Sequence, residues 1–257
     1  MPGAIIIAAA IIAIAIIWVN KPAGTTPTQS VENAVQPSDQ KIADVAMKPV
    51  SSADHIFGDP NAPVKIVEYS DTSCPYCKAF DPIMQQVISA YGPSGQVAWV
   101  YRYFPLDKPG TRPDGGILHV NSGHEAQAME CAASLGGNDK FWAFEKKLYE
   151  TTPGVTGETP NGLDQKQLPV IAKAVGLDEK AFNTCLDSGK FKSVVEADYL
   201  DGLNAGVTGT PYSILITPSG SKIPLEGVTS FTTLRKTIDT LLSSTQDSSA
   251  PNSAAQN

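Results

Sequence analysis

A Cys-x-x-Cys pair lies between a strand-like run and a helix-like run, in the sequence SDTSCPYCKAF from Ser70 to Phe80. The preceding segment VKIVEYS is apolar, β-branched and preceded by a proline, which is typical of a buried strand. After the pair, apolar residues recur at helical spacing from Phe80 to Tyr91, where a Gly-Pro dipeptide ends the pattern. The pair is therefore predicted at a strand-to-helix junction, with Cys74 at the helix N-terminus.

The rest of the chain follows the order expected of an α/β protein. QVAWVYRYF has the composition of a second strand, and five helical patterns follow it. Ser122 and Glu125 have capping-box spacing at the start of the first of these helices, and Asp178 is predicted to cap the fourth. The strand-like runs PYSILIT and KIPLEG then form a hairpin signal before a last helix. The predicted stripe of the fifth helix consists of Phe191, Val194, Val195, Tyr199 and Leu203.

The two ends of the chain differ in composition from its middle. Residues 4–19, AIIIAAAIIAIAIIWV, are apolar throughout and approach the roughly 20 residues that cross a bilayer, so residues 1–20 are predicted to be a transmembrane anchor or a signal segment. An uncleaved anchor is favoured because no clear cleavage site follows. Residues 21–54 are rich in Pro, Ser, Thr and Gln and are predicted to be a flexible linker. Residues 243–257 are predicted to be a disordered tail, which leaves one folded domain at 55–242.

Three kinds of chemistry use the Cys-x-x-Cys spacing: a zinc site, a structural clip and a redox centre. A zinc site needs four ligands, and the other cysteines and histidines of the chain are not paired at ligand spacing. A disulfide that closes so small a loop adds little stability. Thiol–disulfide exchange is therefore the predicted chemistry, and it requires neither a metal nor an organic cofactor.

Position predicts different roles for the two thiols. A thiol at a helix N-terminus lies near unsatisfied N–H groups and the positive end of the helix dipole, which favour the thiolate. Cys74 is therefore predicted to be the exposed nucleophile, and Cys77, one turn later, the buried resolving thiol. Pro75 and Tyr76 separate them, and Pro75 suits the first position of a helix.

At these residues the chain resembles a known family. The strand, the CPYC sequence and the following helix resemble the thioredoxin fold, an α/β fold. An all-helical insertion between the βαβ and ββα halves makes the chain similar to the DsbA-like thiol-disulfide oxidoreductases, within which GDPNAPVKIVEYSD resembles the membrane-anchored or secreted branch. Pro82 resembles the kink proline of the family's first helix, and GVTGTP resembles its second signature. The resemblance covers His55 to Leu242.

The resemblance implies roles for residues outside the CPYC sequence. Thr210 and Pro211 would form a cis-proline turn across from the cysteines, where the backbone of Thr210 pairs with an extended substrate. Glu68 would be the buried acid that accepts a proton from the resolving cysteine, whereas an edge-strand glutamate facing water is the alternative. Asp71 is predicted only to help terminate the strand.

The two remaining cysteines are Cys131 and Cys185, on separate predicted helices. An even count and an oxidising compartment favour a structural disulfide between them, and some members of the family have a similar second disulfide. Two free core thiols are the alternative. His119 and His124 are predicted to be surface or capping residues without a catalytic role.

Charge and resemblance together define the expected partners. The net charge is −7 and no cluster of Lys and Arg is present, so nucleic acid is not an expected partner. The cysteine count and the apolar N-terminal segment predict that the domain is extracytoplasmic, in a periplasm or at the cell exterior. The predicted enzyme transfers its disulfide to reduced or misoxidised polypeptides, and the resemblance implies that a membrane thiol oxidase reoxidises it. It would be secreted if the N-terminal segment is cleaved. A disulfide reductase or isomerase and, from another class, a binding module or chaperone are the alternatives.

Overall fold

Five strands form one mixed sheet in the computed structural model, which describes residues 45–153 and 162–247. The sheet has the order β1-β3-β2-β4-β5, so β2 is its central strand. Strands β2 and β3 run parallel, and every other neighbouring pair is antiparallel. The strands are β1 (His55–Phe57), β2 (Val64–Ser70), β3 (Val97–Tyr103), β4 (Tyr212–Ile216) and β5 (Lys222–Glu226).

The helices fall into the predicted groups. Helix α1 connects β2 to β3, α7 follows β5, and the all-helical insertion lies between the βαβ and ββα halves. This is the fold class that the sequence predicts. The helices are α1 (Pro75–Tyr91), α2 (Ser122–Gly136), α3 (Asn138–Thr151), α4 (Gln167–Ala174), α5 (Glu179–Asp187), α6 (Lys192–Asn204) and α7 (Phe231–Asp247).

Different elements cover the two faces of the sheet. Because side chains alternate along a strand, Val64 and Ile66 of β2 face one side, while Val67 and Tyr69 face the other. The first pair belongs to a core shared with α1, α7 and most of the insertion. The second pair packs with residues of α6 and of the segment before β1. Both faces of the central strand are therefore covered, and the Cys-x-x-Cys pair follows its C-terminal end.

Residues 45–54 are part of the folded unit, although the sequence assigns them to the linker. Val45 and Met47 are buried against the sheet. The guanidinium of Arg102, on β3, donates to Asp54 over 2.8 Å and to two backbone carbonyls of the same segment. The predicted boundary at residue 55 is therefore wrong. The composition predicted a linker because this segment contains few apolar residues, and only two of them, Val45 and Met47, are buried.

The predicted terminal segments are only partly described. Helix α7 continues to Asp247, so the tail predicted from residue 243 begins inside a helix. The anchor or signal segment at residues 1–20, the linker up to residue 44 and the tail from residue 248 lie outside the described residues. Among the helices of the described part, none is both long and apolar enough to cross a bilayer.

Helix α2 does not use the predicted capping box. Ser122 already lies inside the helix, and its hydroxyl donates to the carbonyl oxygen of His119 over 3.1 Å. The carboxylate of Glu125 turns to the loop before Cys74 instead of to its own helix end. The capping box is therefore wrong because a tertiary contact uses the same glutamate.

The predicted apolar stripe of α6 is also wrong in part. Val194 and Leu203 are 40% and 48% exposed, whereas Asp198 and Asp201 are buried. Asp201 accepts a hydrogen bond from the buried Arg102 over 2.9 Å. A polar contact therefore fixes part of the inner face of this helix.

Candidate active site

Cys74 and Cys77 lie at the start of α1 and are both free thiols. Cys74 is the N-cap residue and Pro75 occupies the first turn, as the sequence predicts. Cys77 is fully buried, and its sulfur accepts the N–H of Asp71 at 3.5 Å. Cys74 is only 4% exposed, which is less than predicted for the nucleophile, but it borders a cavity. Within the described residues, no group of three or more His, Cys, Asp or Glu side chains could hold a metal ion.

The two thiols have opposite electrostatic environments. The hydrogen bond with the Cys77 thiol lowers the pKa of Cys74 to about 6, against the opposing effects of burial and of the nearby Asp71 charge. Burial raises the pKa of Cys77 well above its usual value, and the neighbouring Cys74 raises it further. Near neutral pH the pair therefore consists of a thiolate at Cys74 and a thiol at Cys77.

The turn before β4 lies across from Cys74. The Thr210–Pro211 peptide bond is cis, as expected from the resemblance. The carbonyl oxygen of Thr210 lies 3.4 Å from the sulfur of Cys74. The structure thus brings together residues separated by 136 positions, and the backbone of this turn forms one wall of the approach to the sulfur.

Glu68 lies beneath the pair on the central strand. The side chain is buried, and its carboxylate accepts a hydrogen bond from the indole N–H of Trp99 over 3.0 Å. Burial raises the pKa of Glu68 to about 8, against the lowering effect of hydrogen bonds from Ser70 and Trp99. The alternative of a solvent-facing edge strand is excluded by the position of β2.

Asp71 and His119 form a pair at the side of Cys74 that the sequence did not reveal. One oxygen of Asp71 accepts the N–H of Ser73 over 2.8 Å, and the other accepts the N–H of Leu106 over 2.7 Å. The Nδ1 atom of His119 lies 3.0 Å from that second oxygen. Burial opposes a charged imidazole, but the hydrogen bond and charge of Asp71 raise the pKa of His119. The roles predicted for both residues were therefore incomplete.

Glu125 of α2 holds the loop that precedes Cys74. One of its oxygens accepts the hydroxyls of Thr72 over 2.6 Å and of Ser73 over 2.9 Å. Its other oxygen accepts the amide of Gln165 over 3.0 Å. The helical insertion thus fixes the backbone from which Cys74 is presented. The sequence carries no local signal for these contacts, since the partners lie 53 and 52 positions apart.

A cavity of about 920 Å³ opens beside Cys74. Its walls come from the CPYC sequence, the loop between β3 and α2, helix α6 and the segment before Pro211. Tyr76 stands at its rim and is 65% exposed. Several large apolar side chains line this cavity. These apolar residues are Phe104, Leu106, Leu118, Tyr199, Leu203 and Val207.

The second pair of cysteines forms a disulfide away from this cavity. Cys131 of α2 and Cys185 of α5 are bonded, with their Cα atoms 5.9 Å apart. The bond joins two helices of the insertion. It is separate from the free pair and leaves Cys74 and Cys77 as the thiols available for exchange.

Comparison with protein families gives one match that covers most of the chain. A family model described as Thioredoxin matches residues 50–240. Among curated proteins, the Na⁺/H⁺ antiporter NhaA 1 of Mycobacterium sp. (strain KMS) is 31% identical over 130 residues, which is 51% of this chain and 18% of that protein. The antiporter NhaA of Herminiimonas arsenicoxydans is 28% identical over 182 residues, or 25% of its length. The chain thus spans about a fifth to a quarter of these relatives.

Solved structures share the arrangement of strands and helices. Pseudomonas aeruginosa DsbA2 is 25% identical with a TM-score of 0.56, and the match covers 76% of this chain and 97% of that one. BdbD of Bacillus subtilis is 23% identical with a TM-score of 0.63, covering 77% and 98%. The thiol-disulfide exchange protein alpha-DsbA2 of Wolbachia pipientis is 23% identical with a TM-score of 0.57, covering 74% and 88%.

Proposed function

The chain belongs to the thioredoxin family and has a DsbA-like thiol-disulfide oxidoreductase fold, and from this premise we propose that it introduces disulfides into reduced polypeptides. A substrate thiolate attacks the sulfur of Cys74 in the Cys74–Cys77 disulfide, and Cys77 leaves. The second substrate thiol then attacks the mixed disulfide and releases Cys74. The substrate loses two electrons, and the Cys74–Cys77 pair gains them.

The observation that carries this proposal is the contrast between the two thiols. The pKa of Cys74 is lowered to about 6, so the reduced protein holds a stabilised thiolate. A dithiol protein whose reduced form is stabilised is an oxidant, because reduction of its disulfide is then more favourable. The apolar cavity beside Cys74 supports an extended, unfolded substrate. Glu68 is buried beneath Cys77 and its pKa is raised to about 8, so near neutral pH it holds a proton. This supports a role in which Glu68 gives a proton to Cys77 as that thiol leaves and accepts it back when the disulfide re-forms.

The proposed location is extracytoplasmic, with reoxidation by a membrane thiol oxidase. The Cys131–Cys185 disulfide supports an oxidising compartment, since structural disulfides persist mainly outside the cytosol. The uninterrupted apolar run at residues 4–19 supports attachment to, or passage across, a membrane. Reduced or misoxidised polypeptides in that compartment are the proposed substrates.

The direction of electron flow is tested by equilibrating the protein with glutathione buffers. We expect the reduction potential of the Cys74–Cys77 pair to lie nearer to about −120 mV, the value of a strongly oxidising disulfide, than to about −270 mV, the value of thioredoxin. A thioredoxin-like potential, with insulin reduction faster than oxidation of a reduced unfolded substrate, would identify a reductase or isomerase instead. Absence of both activities would identify a binding module.

The roles of the two thiols are tested by trapping the mixed disulfide. Cys77→Ser removes the thiol that releases a bound partner, so we expect a mixed disulfide to accumulate at Cys74. Cys74→Ser is the matched control, and it should trap little because the remaining thiol is fully buried. Equal trapping by both variants, or trapping by Cys74→Ser alone, contradicts the assignment.

A further inference from the structure

The proposed exchange leaves one proton without an assigned acceptor. A substrate dithiol that becomes a disulfide loses two S–H bonds, so two protons are released with two electrons. Cys77 keeps one proton, because burial raises its pKa well above the usual value. Cys74 remains a thiolate near neutral pH, because the hydrogen bond with Cys77 lowers its pKa to about 6. The second proton must go to another group or to water.

His119 is placed to take that proton. Its Nδ1 atom lies 3.0 Å from a carboxylate oxygen of Asp71, which can only accept, so Nδ1 carries a hydrogen. In the neutral ring Nε2 is then the basic atom. Asp71 is itself fixed by two backbone N–H groups, so the ring is held in one orientation. His119 lines the same cavity as Cys74, and its side chain is 12% exposed.

The charged surroundings of His119 favour the imidazolium. The negative charges that stabilise it come from three elements: Asp71 after β2, the Cys74 thiolate at the start of α1 and Glu125 in α2. Arg112 is the only lysine or arginine among the described residues that line the cavity, and it pairs with an aspartate of its own loop. Of these acidic groups, the thiolate is the one that appears when the disulfide is reduced. Reduction therefore adds a negative charge that stabilises the protonated ring.

We propose that His119, oriented by Asp71, binds the second proton when the Cys74–Cys77 disulfide is reduced and releases it when the disulfide re-forms. This inference rests on the proposed exchange function. His119 forms no bond to sulfur in this scheme and acts through the charge on Cys74, so it is a positioning residue. Because such coupling is reciprocal, the protonated ring must stabilise the thiolate as much as the thiolate stabilises the proton.

The wild-type protein provides a direct test by NMR titration of its histidine rings. The chain has three histidines. We expect the titration midpoint of His119 to be higher in the reduced than in the oxidised protein by about half a pH unit or more. His55, which pairs with Glu130, and His124, which pairs with Gln165, serve as internal controls, because neither lines the cavity beside Cys74. Equal midpoints of His119 in the two states overturn the inference.

A pair of variants tests the reciprocal effect on the thiolate. His119→Gln removes the titrating ring, so we expect a higher pKa of Cys74, measured by the ultraviolet absorbance of the thiolate, and a less oxidising potential. His124→Gln is the matched control at an exposed ring, and it should leave both quantities unchanged. An unchanged Cys74 pKa in folded His119→Gln overturns the inference, and the wild-type titration decides the question if that variant does not fold.

The two proposals can fail separately. Disulfide exchange with a peptide substrate, together with equal His119 midpoints, would retain the proposed function and overturn the proton acceptor. A redox-dependent His119 midpoint in a protein that exchanges disulfides with no peptide would support the proton linkage and overturn the proposed function.

Discussion

At the scale of single residues, Glu68 gives the fold a specific pH response. Its pKa is raised from 4.5 to about 8, so between these values the folded protein binds a proton that the unfolded chain does not. Stability therefore falls as pH rises through this window and is fully retained below about 4.5. We expect Glu68→Gln to raise the unfolding free energy at pH 8 by about 2 to 4 kcal/mol, because the amide is neutral and still accepts from Trp99.

The measurement is urea denaturation at pH 5 and pH 8. The protein is kept oxidised, because Cys74 and Cys77 then form a disulfide and neither can titrate. At pH 5 the variant and the wild type should differ far less, since the buried acid is then protonated in the folded state. Glu226→Gln, at an exposed position of β5, is the control and should change stability little at either pH. A pH-independent effect of Glu68→Gln would contradict the assigned proton.

The sequence predicts the residues of the site that lie close together in the chain. Cys74 and Cys77 follow from one strand, one helix start and their spacing, whereas Glu68 follows from the family resemblance. The Asp71–His119 pair and the Glu125 contacts join positions about 50 residues apart, and nothing local marks them. A histidine before a helix is usually a surface or capping residue, so only tertiary structure shows that His119 faces the cavity.

At the scale of elements, a glycine allows α6 to approach the sheet. A Cβ atom at Gly202 would lie 2.5 Å from a ring carbon of Phe104 and 3.1 Å from one of Tyr69. Replacing glycine by alanine inside a helix usually stabilises it by up to about 1 kcal/mol. We expect Gly202→Ala to do the opposite and to lower stability by about 1 to 3 kcal/mol, because both rings must move.

Thermal and urea denaturation would measure this effect. Ser193→Ala, at an exposed position of the same helix, is the control for helix propensity and should be close to neutral. Since Tyr199 and Leu203 of α6 line the cavity, we also expect weaker peptide binding by Gly202→Ala. A stabilised variant would show that α6 is not held at this distance.

The disulfide between α2 and α5 makes a second prediction at this scale. It closes a loop of 54 residues, for which the chain-entropy model gives about 4 kcal/mol at most. We expect the double variant Cys131→Ala with Cys185→Ala to lose about 2 to 4 kcal/mol of unfolding free energy while retaining exchange at Cys74. Each single variant is a control for the loss of one sulfur. An unchanged denaturation midpoint of the double variant would show that the bond adds no stability.

At the scale of the whole molecule, the segment before β1 completes the domain. Arg102 is buried, and its charge is balanced by Asp54 and Asp201. A chain that begins at residue 55 would leave this guanidinium without one of its two carboxylates. We expect it to be less stable by about 3 kcal/mol or more than a chain that begins at residue 45, since breaking a buried ion pair leaves an uncompensated charge.

The measurement is urea denaturation of the two truncated chains side by side. The chain from residue 45 is the matched reference because it keeps the contacts to Arg102 and the buried Val45 and Met47. Equal midpoints would show that the segment adds nothing to the fold.

The overall arrangement is predictable because hydrophobic periodicity distinguishes strands from helices over long segments. Strand β1 escaped prediction because three residues are too few to show alternation. The folded state of residues 45–54 was not predicted, because their hydrogen bonds are made to residues such as Arg102 that are distant in the sequence. The inner face of α6 was not predicted, because Asp201, a residue type that usually faces water, binds the buried Arg102 there.

The Asp71–His119 contact has a consequence for evolution. Each carboxylate oxygen of Asp71 accepts a hydrogen bond from a different backbone N–H group. One of these two oxygens also orients the imidazole of His119. A replacement at either position leaves the other side chain without its counterpart, so homologous proteins should exchange the two together. We therefore expect positions 71 and 119 to co-vary across homologues. Position 124, an exposed histidine that does not contact Asp71, should vary independently of both.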